Sequence, residues 1–502
     1  MFHYNKQTMR KSDKQWMVFQ DDSRAKRDTT SSAQSSAQST SQFTTDFPRL
    51  GDLPILRDKS LVEELFSFDG PPDATVSVGG QDYYYFSGEG YLGLQANPEV
   101  LAATCEAVLR YGTSLGTVRR RFTPAPVFDV ERQTSEIFGT EQAYYASGEM
   151  TVTEQLLGSI RETIESVFVD ELVSDSTWSA VQRVFGNRNA VHTFRHRDIG
   201  HLSELIKDHL QPRTRPLVVT DGVFNVTGTI APIPDYYKLL VEYPESALFI
   251  DDSEGLGVLG EKGRGTLEYY DYDPSGINRT QLDNQGDPTF GINSLDYWSN
   301  DKEEPTNGSN LLDPFADVFA PYSTTENTAS QGRKRRNLIP PKKPLPVRTY
   351  QVASLSRAVG GFGTIISGSD RFIDRIKGTS SLYSEAIVPT PLATATLKGL
   401  QLSFHHDVIR HHLWDNVYYF KTEIEKLGIK CEGNMVPIVS IQTGTDGNMR
   451  RLQRELIKEQ ILVSFLQSMN QRRRGGSLRI ALFATHERQM LDLLLDTLRR
   501  IL

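Results

Sequence analysis

The stretches LVVTDGVF at residues 217–224 and ALFIDDSEG at residues 247–255 decide the fold. Each begins with a short apolar run and ends in polar and glycine residues, as does Ser166–Val169 upstream. Helical patterns at His201–His209 and Pro234–Glu242 separate these runs. Strands that alternate with helices of this length predict an α/β fold with a mainly parallel sheet.

Two aspartates stand at the ends of these predicted strands. Asp221 follows the first run and Asp251 follows the second. Ligands of parallel sheets bind at the carboxyl ends of the strands, so both side chains are candidates for ligand contacts. The alternative, which each residue taken alone favours, is an ordinary loop carboxylate.

Composition limits the possible functions. The chain has 502 residues, of which 63 are acidic and 55 basic, and the net charge of −8 argues against a dedicated nucleic-acid binder. Its two cysteines, Cys105 and Cys431, exclude a disulfide framework and zinc-finger spacing. No apolar run approaches the ~18 residues of a membrane span. These features predict a soluble, cytoplasmic protein without a transmembrane segment.

The rest of the chain divides by composition. A Ser/Thr/Gln-rich tail at 1–50 is predicted to be disordered, because it cannot bury enough apolar surface. Residues 51–385 form the predicted large domain, and residues 386–502 form a smaller α+β domain. The large domain is interrupted at 272–347 by a polar insertion that contains the basic run Arg333–Arg336. We predict a flexible insertion, with a localisation or anion-binding patch as the alternative.

Five parts of the chain together resemble the α-oxoamine synthase family, whose pyridoxal-phosphate (PLP) enzymes condense an amino acid with an acyl-CoA. The resemblance covers about residues 83–270 and 350–502. It implies the fold-type I PLP-transferase fold and PLP as the cofactor. The segments that carry it are Gly90–Leu94 with Asn97–Val100, Val219–Phe224, Asp251–Gly260 with Gly263–Gly265, Ser354–Gly361, and Leu478–Ile480 with His486.

The family's catalytic lysine is matched by an arginine. SLSRAVGG at residues 354–361 resembles the family's lysine segment T-L-S-K-A-L-G-G, and Arg357 stands at the lysine. The lysine amine forms an imine with PLP and moves protons on the substrate. A guanidinium stays protonated and has no free lone pair, so Arg357 is predicted to be inactive at this catalytic position.

The resemblance also implies a degenerate cofactor pocket. Ser147 and Gly148 match the pair beside the PLP phosphate, and Asp221 lies in the matching T-D-G-V-F strand. Glu254 replaces a histidine near the cofactor, and Ser174 replaces the histidine that stacks on its ring.

Two more carboxylates stand at the expected pocket. Glu149 replaces an aromatic residue, and Glu385 aligns near a threonine that the neighbouring subunit contributes. Carboxylates beside a phosphate repel it.

Two matching residues retain their family type. Asp251 would pair with the pyridinium nitrogen, and Arg479 would bind the substrate carboxylate. Both are equally compatible with a purely structural role.

The pattern most resembles the non-catalytic subunits of serine palmitoyltransferase, an enzyme of sphingolipid biosynthesis. It predicts a pseudoenzyme that works as a homo- or heterodimer with a catalytic homologue, with PLP, if bound, not covalently attached. The alternatives are an active PLP-dependent enzyme that uses another lysine, such as Lys377, and a non-enzymatic scaffold. The pattern over Pro391–Leu427 predicts one long helix. No metal site is predicted on it, because His405 and His412, seven residues apart on one face, are too distant for one ion.

Overall fold

Two β-sheets organise the chain in a computed structural model. It describes residues 67–502 except 117, 120–121, 187–190, 211–214, 279–341, 379–386, 406, 433, 443 and 467–475. The predicted tail at 1–50, most of the predicted insertion and Glu385 lie outside the described residues. The proposed boundary between residues 385 and 386 lies outside them too.

The larger sheet has seven strands in the order β3-β9-β8-β7-β6-β4-β5. Strands β4 to β8 run parallel to one another, while β9 is antiparallel to both β8 and β3. The strands are β3 (Gln142–Ala146), β4 (Ser166–Asp170), β5 (Val191–Phe194), β6 (Pro216–Asp221), β7 (Ala247–Asp251), β8 (Arg348–Ser354) and β9 (Thr364–Gly368). The predicted α/β class with a mainly parallel sheet is confirmed.

Helices cover both faces of this sheet, so every residue of β4, β6 and β7 is buried. Along β4, Phe168 packs into one core, and Val167 and Val169 pack into the core on the opposite face. This explains why the strands read as continuous apolar runs. The helices up to the insertion are α1 (Pro98–Tyr111), α2 (Ala125–Phe138), α3 (Glu149–Ile160), α4 (Asp175–Phe185), α5 (Ile199–His209), α6 (Ile233–Leu240) and α7 (Thr266–Tyr269).

The smaller sheet has five strands in the order β1-β2-β11-β12-β10. The β1–β2 hairpin from the beginning of the described chain therefore joins strands from its end, because β2 runs parallel to β11. The strands are β1 (Thr75–Val78), β2 (Gln81–Phe86), β10 (Ile438–Ile441), β11 (Ile461–Leu466) and β12 (Ser477–Ala481). The sequence patterns did not reveal β1, β3, β5, β8, β11 or this pairing.

The remaining helices differ from the predicted ones in one important respect. They are α8 (Asp370–Lys377), α9 (Thr390–His405), α10 (Val408–Glu425), α11 (Asp446–Lys458) and α12 (Arg488–Ile501). The single helix that we predicted over Pro391–Leu427 is wrong, because Asp407 lies in a turn and precedes a new helix. His405 and His412 consequently belong to different helices.

Local backbone and capping interactions define both ends of α1. The Asn97 side chain accepts a hydrogen bond from the Glu99 amide, and Pro98 occupies the first turn, where its missing N–H costs nothing. Gly112 ends the helix with φ of 72°, a backbone conformation that favours glycine. In the described part of the chain, no helix is both long and apolar enough to cross a bilayer.

Candidate functional site

The predicted site residues meet at the carboxyl ends of the parallel strands. Asp221 and Asp251 are the last residues of β6 and β7, and they face each other in the strand register. Ser174 follows β4, Glu254 follows β7, and Arg357 follows β8. With Glu149, these side chains line one cavity. The topology therefore brings together residues that are distant in sequence.

Asp251 is buried and fully hydrogen-bonded. One carboxylate oxygen accepts a bond from the Thr177 hydroxyl at 3.0 Å. The other accepts bonds from the Ser253 hydroxyl at 2.6 Å and the Ser253 amide at 3.1 Å. Burial, and then the nearby Glu149 carboxylate, raise the pKa of Asp251 to about 6.

Asp221 is buried with one oxygen unsatisfied. Its Oδ2 accepts a hydrogen bond from the Ser174 amide at 2.8 Å, whereas its Oδ1 has no partner. Burial and the neighbouring Asp251 raise the pKa of Asp221 well above its usual value. Ser174 itself is the N-cap of α4, and its hydroxyl accepts a bond from the Thr177 amide. The Ser174 hydroxyl therefore caps the first turn of α4.

Arg357 is surrounded by carboxylates. Its Nε lies 2.9 Å from a Glu89 oxygen and 3.0 Å from a Glu254 oxygen. One terminal nitrogen lies 3.3 Å from Glu149, and the other donates to the Ser356 hydroxyl at 3.2 Å. Burial alone would lower the pKa of Arg357, but the three carboxylates outweigh it and hold that pKa above its ordinary value. Arg357 is therefore permanently charged.

Each guanidinium nitrogen of Arg479 also donates a hydrogen bond. It is 4 % exposed and lies on β12. Its three donor groups bond to the Asn225 carbonyl at 2.8 Å, the Gly88 carbonyl at 2.7 Å and the Tyr91 hydroxyl at 2.7 Å. Tyr91 in turn donates to Glu254, the carboxylate that also holds Arg357. Substrate binding by Arg479 remains a prediction.

The connection from β3 to α3 contains the remaining predicted residues. Ser147 and Gly148 lie between the two elements, and Gly148 is the N-cap of α3. Glu149 is the first residue of α3, with its carboxylate between Arg357 and the Ser176 hydroxyl, which donates to it at 2.8 Å. An acidic side chain at this position interacts favourably with the helix dipole.

Sequence reasoning missed Glu89. It belongs to the connection between β2 and α1, far from Arg357 in sequence, and burial raises its pKa. The available indication was an acidic residue between two glycines, Gly88 and Gly90. No local pattern relates that turn to Arg357.

These residues allow a test of whether PLP fits. Among the described residues that line the cavity, none is a lysine, so none of these residues offers a primary amine for an imine. The cavity volume is about 10 Å³, which is room for about one water molecule. The role at the cofactor ring that the resemblance implies for Asp251 stays a prediction. The arrangement does not fit PLP, because a bound cofactor would have to displace Arg357 and the carboxylates around it.

The raised pKa of Asp251 leads to a prediction about stability. In the unfolded chain the pKa is about 4, so the stability that this carboxyl contributes is complete below pH 4 and is lost as pH rises through 6. In Asp251→Asn the amide does not titrate. Between pH 4.5 and pH 8, we expect the free energy of unfolding of wild type to fall by about 2 kcal/mol relative to that of this variant.

Urea denaturation of both proteins across this pH range measures the difference. A constant difference in the free energy of unfolding would mean that Asp251 titrates as an ordinary carboxyl.

Within the described residues, no group of three or more His, Cys, Asp or Glu side chains is arranged to hold a metal ion.

Comparisons with known proteins agree with this architecture. Residues 333–498 match the family model for aminotransferase class I and II. The 8-amino-7-oxononanoate synthase of Alkaliphilus oremlandii is 24% identical over 450 residues, which cover 89% of this chain and 94% of that protein. The corresponding synthase 1 of Bacillus subtilis is 25% identical over 445 residues, covering 88% and 92%.

Solved structures have the same fold. The PLP–myriocin complex of serine palmitoyltransferase from S. paucimobilis superposes with a TM-score of 0.66 at 16% identity, covering 87% of this chain and 92% of that one. The 8-amino-7-oxononanoate synthase of Francisella tularensis gives a TM-score of 0.58 at 16% identity, covering 83% and 97%. The predicted fold-type I PLP-transferase architecture is confirmed. By its motifs, its relatives and its fold, the chain resembles the α-oxoamine synthase family of PLP-dependent acyltransferases.

Proposed function

We propose that this chain is a non-catalytic member of its family that supports a PLP-dependent condensation of an amino acid with an acyl-CoA in a partner subunit. The observation that carries the proposal is Arg357. It follows β8 in the segment that matches the family's lysine, and it is held by Glu89, Glu149 and Glu254. A guanidinium cannot form an imine.

The position of Lys377 argues against an active enzyme that uses this lysine. Lys377 ends α8, and its amine donates to the Gln142 side chain at 2.8 Å. Gln142 begins β3, whereas Ser147 lies just beyond the other end of that strand. At about 3.3 Å per residue, the two ends are about 16 Å apart. Lys377 therefore lies at the wrong end of the sheet.

An exposed apolar surface supports association with a partner. Leu101, Cys105, Val108 and Leu109 follow helical spacing on the outer face of α1, and Leu109 is 89% exposed. This stripe is distinct from the buried side that contains Val100 and Ala107. A second apolar stripe on a helix that already packs through its first is typical of an interaction surface.

Neighbouring elements extend this surface. Phe122 and Phe128, before and within α2, and Leu392 on α9 are exposed as well. Helix α9 packs against both α1 and α2. It also contacts the loop after Arg357, since the Phe362 amide donates to the Thr396 hydroxyl at 2.8 Å. We call the exposed apolar residues of α1, α2 and α9 the apolar face.

We propose that the apolar face binds a catalytic homologue of the same fold. The chain matches its relatives over nearly their whole length, so a homologue would present the equivalent helices. The serine palmitoyltransferase and 8-amino-7-oxononanoate synthase relatives suggest the reaction class. We propose that the two chains form a heterodimer in the cytoplasm. The resemblance to serine palmitoyltransferase suggests a role in sphingolipid biosynthesis.

Co-expression with candidate catalytic homologues tests the proposal. Tagged wild-type chain is purified with each untagged homologue, and the molar mass of the complex and the condensation rate are measured. We expect a one-to-one complex in which the homologue is more active or more stable than alone. If no homologue co-purifies with the tagged chain, or if the chain forms only a homodimer, the scaffold alternative is favoured.

A further inference from the structure

The carboxylates around Arg357 come from three separate parts of the fold. Glu89 belongs to the connection that leaves β2, a strand of the five-stranded sheet. Glu149 opens α3, and Glu254 follows β7 of the seven-stranded sheet. One guanidinium therefore contacts connections from both sheets.

The contacts continue beyond Arg357 on both sides. Glu254 accepts a bond from Tyr91, which accepts one from Arg479 on β12 of the five-stranded sheet. On the other side, Glu149 accepts a bond from Ser176 on α4. The side chains form a continuous polar network between the two sheets, with Arg357 at its centre.

The charge balance makes Arg357 indispensable to this network. Glu89, Glu149 and Glu254 all contact it, and Glu254 is only 5% exposed. Without the guanidinium, these carboxylates would repel one another in a partly buried site. Removing one partner of a buried ion pair is strongly destabilising, whereas removing all of its charges is often tolerated.

We propose that the pocket is a guanidinium-binding site whose ligand is the chain's own Arg357, and that this cation takes the structural place of a bound cofactor by joining the two sheets. The proposal rests on the proposed non-catalytic function. It accounts for the small cavity and for the three acidic side chains together. In this proposal the folded chain does not need PLP for its stability.

Thermal unfolding of matched variants tests this proposal. Arg357→Ala is expected to lower the melting temperature by roughly 3–5 °C. Adding Glu89→Gln, Glu149→Gln and Glu254→Gln to it is expected to restore at least half of that loss. The three glutamine changes in the presence of Arg357 are the control, and they should lower the melting temperature because the guanidinium loses its partners.

Chemical rescue provides a second measurement. Propylguanidinium at millimolar concentration is expected to raise the melting temperature of Arg357→Ala, and propylammonium less so because it lacks the planar fork. Neither should stabilise wild type. Should Arg357→Ala fail to fold, folding of the charge-neutral quadruple variant supports the proposal and its failure to fold overturns it.

Two results would overturn the proposal. One is an unchanged melting temperature in Arg357→Ala, and the other is a rise in the wild-type melting temperature on addition of PLP. Failure of the proposed function is a separate result, since it is measured by association with homologues.

Discussion

Leu109→Asp is expected to weaken the complex between this chain and its catalytic homologue by roughly a hundredfold or more. Leu109 is the most exposed residue of the apolar face, at 89%. Burying a leucine side chain contributes about 2 kcal/mol, and a carboxylate buried without a partner costs more. A loss of at least ~3 kcal/mol of binding free energy corresponds to roughly a hundredfold weaker binding.

Val408→Asp is the matched control for this variant. Val408 is 60% exposed and begins α10, outside the apolar face. Its replacement makes the same chemical change, and a carboxylate at a helix N-terminus is well tolerated. Equal binding of the homologue by wild type and Leu109→Asp, measured by titration calorimetry, would exclude the apolar face as the interface.

Arg357→Lys is expected to gain neither an imine with PLP nor condensation activity. The new ammonium would lie among Glu89, Glu149 and Glu254, which stabilise its protonated form and raise its pKa. An amine must lose its proton before it attacks an aldehyde. The same carboxylates would repel the cofactor phosphate.

Absorption spectroscopy with added PLP measures imine formation, and an acyl-CoA assay measures turnover. The control is Arg357→Lys combined with glutamine at the three glutamates, in which the lysine should react more readily. Condensation by the single Arg357→Lys variant would show that the surrounding carboxylates do not block the chemistry.

The sequence predicted the parallel part of the fold because its evidence is local. The runs at Ser166–Val169, Leu217–Val219 and Ala247–Ile250 each become a buried strand between helices. Strand β11 and its pairing with β2 escaped prediction, since parallel pairing between distant segments leaves no local pattern. The break at Asp407 escaped because neither proline nor glycine stands between α9 and α10 to mark a helix end.

The sequence likewise predicted only part of the candidate site. The family resemblance identified Asp251 at the end of β7, and Glu254 and Arg357 on connections of the seven-stranded sheet. It did not identify Glu89 as their neighbour, because this contact depends on how the five-stranded sheet packs against the larger one. It also gave Arg479 a substrate role, which stays a prediction; the described contacts of Arg479 are Tyr91 and two backbone carbonyls.

Mass spectrometry of the intact chain after incubation with PLP and reduction with borohydride tests the central claim most directly. A catalytic homologue treated in parallel serves as the positive control. We predict that the homologue gains a pyridoxyl group while this chain keeps its unmodified mass. A pyridoxyl group attached to a specific lysine of this chain would contradict the account.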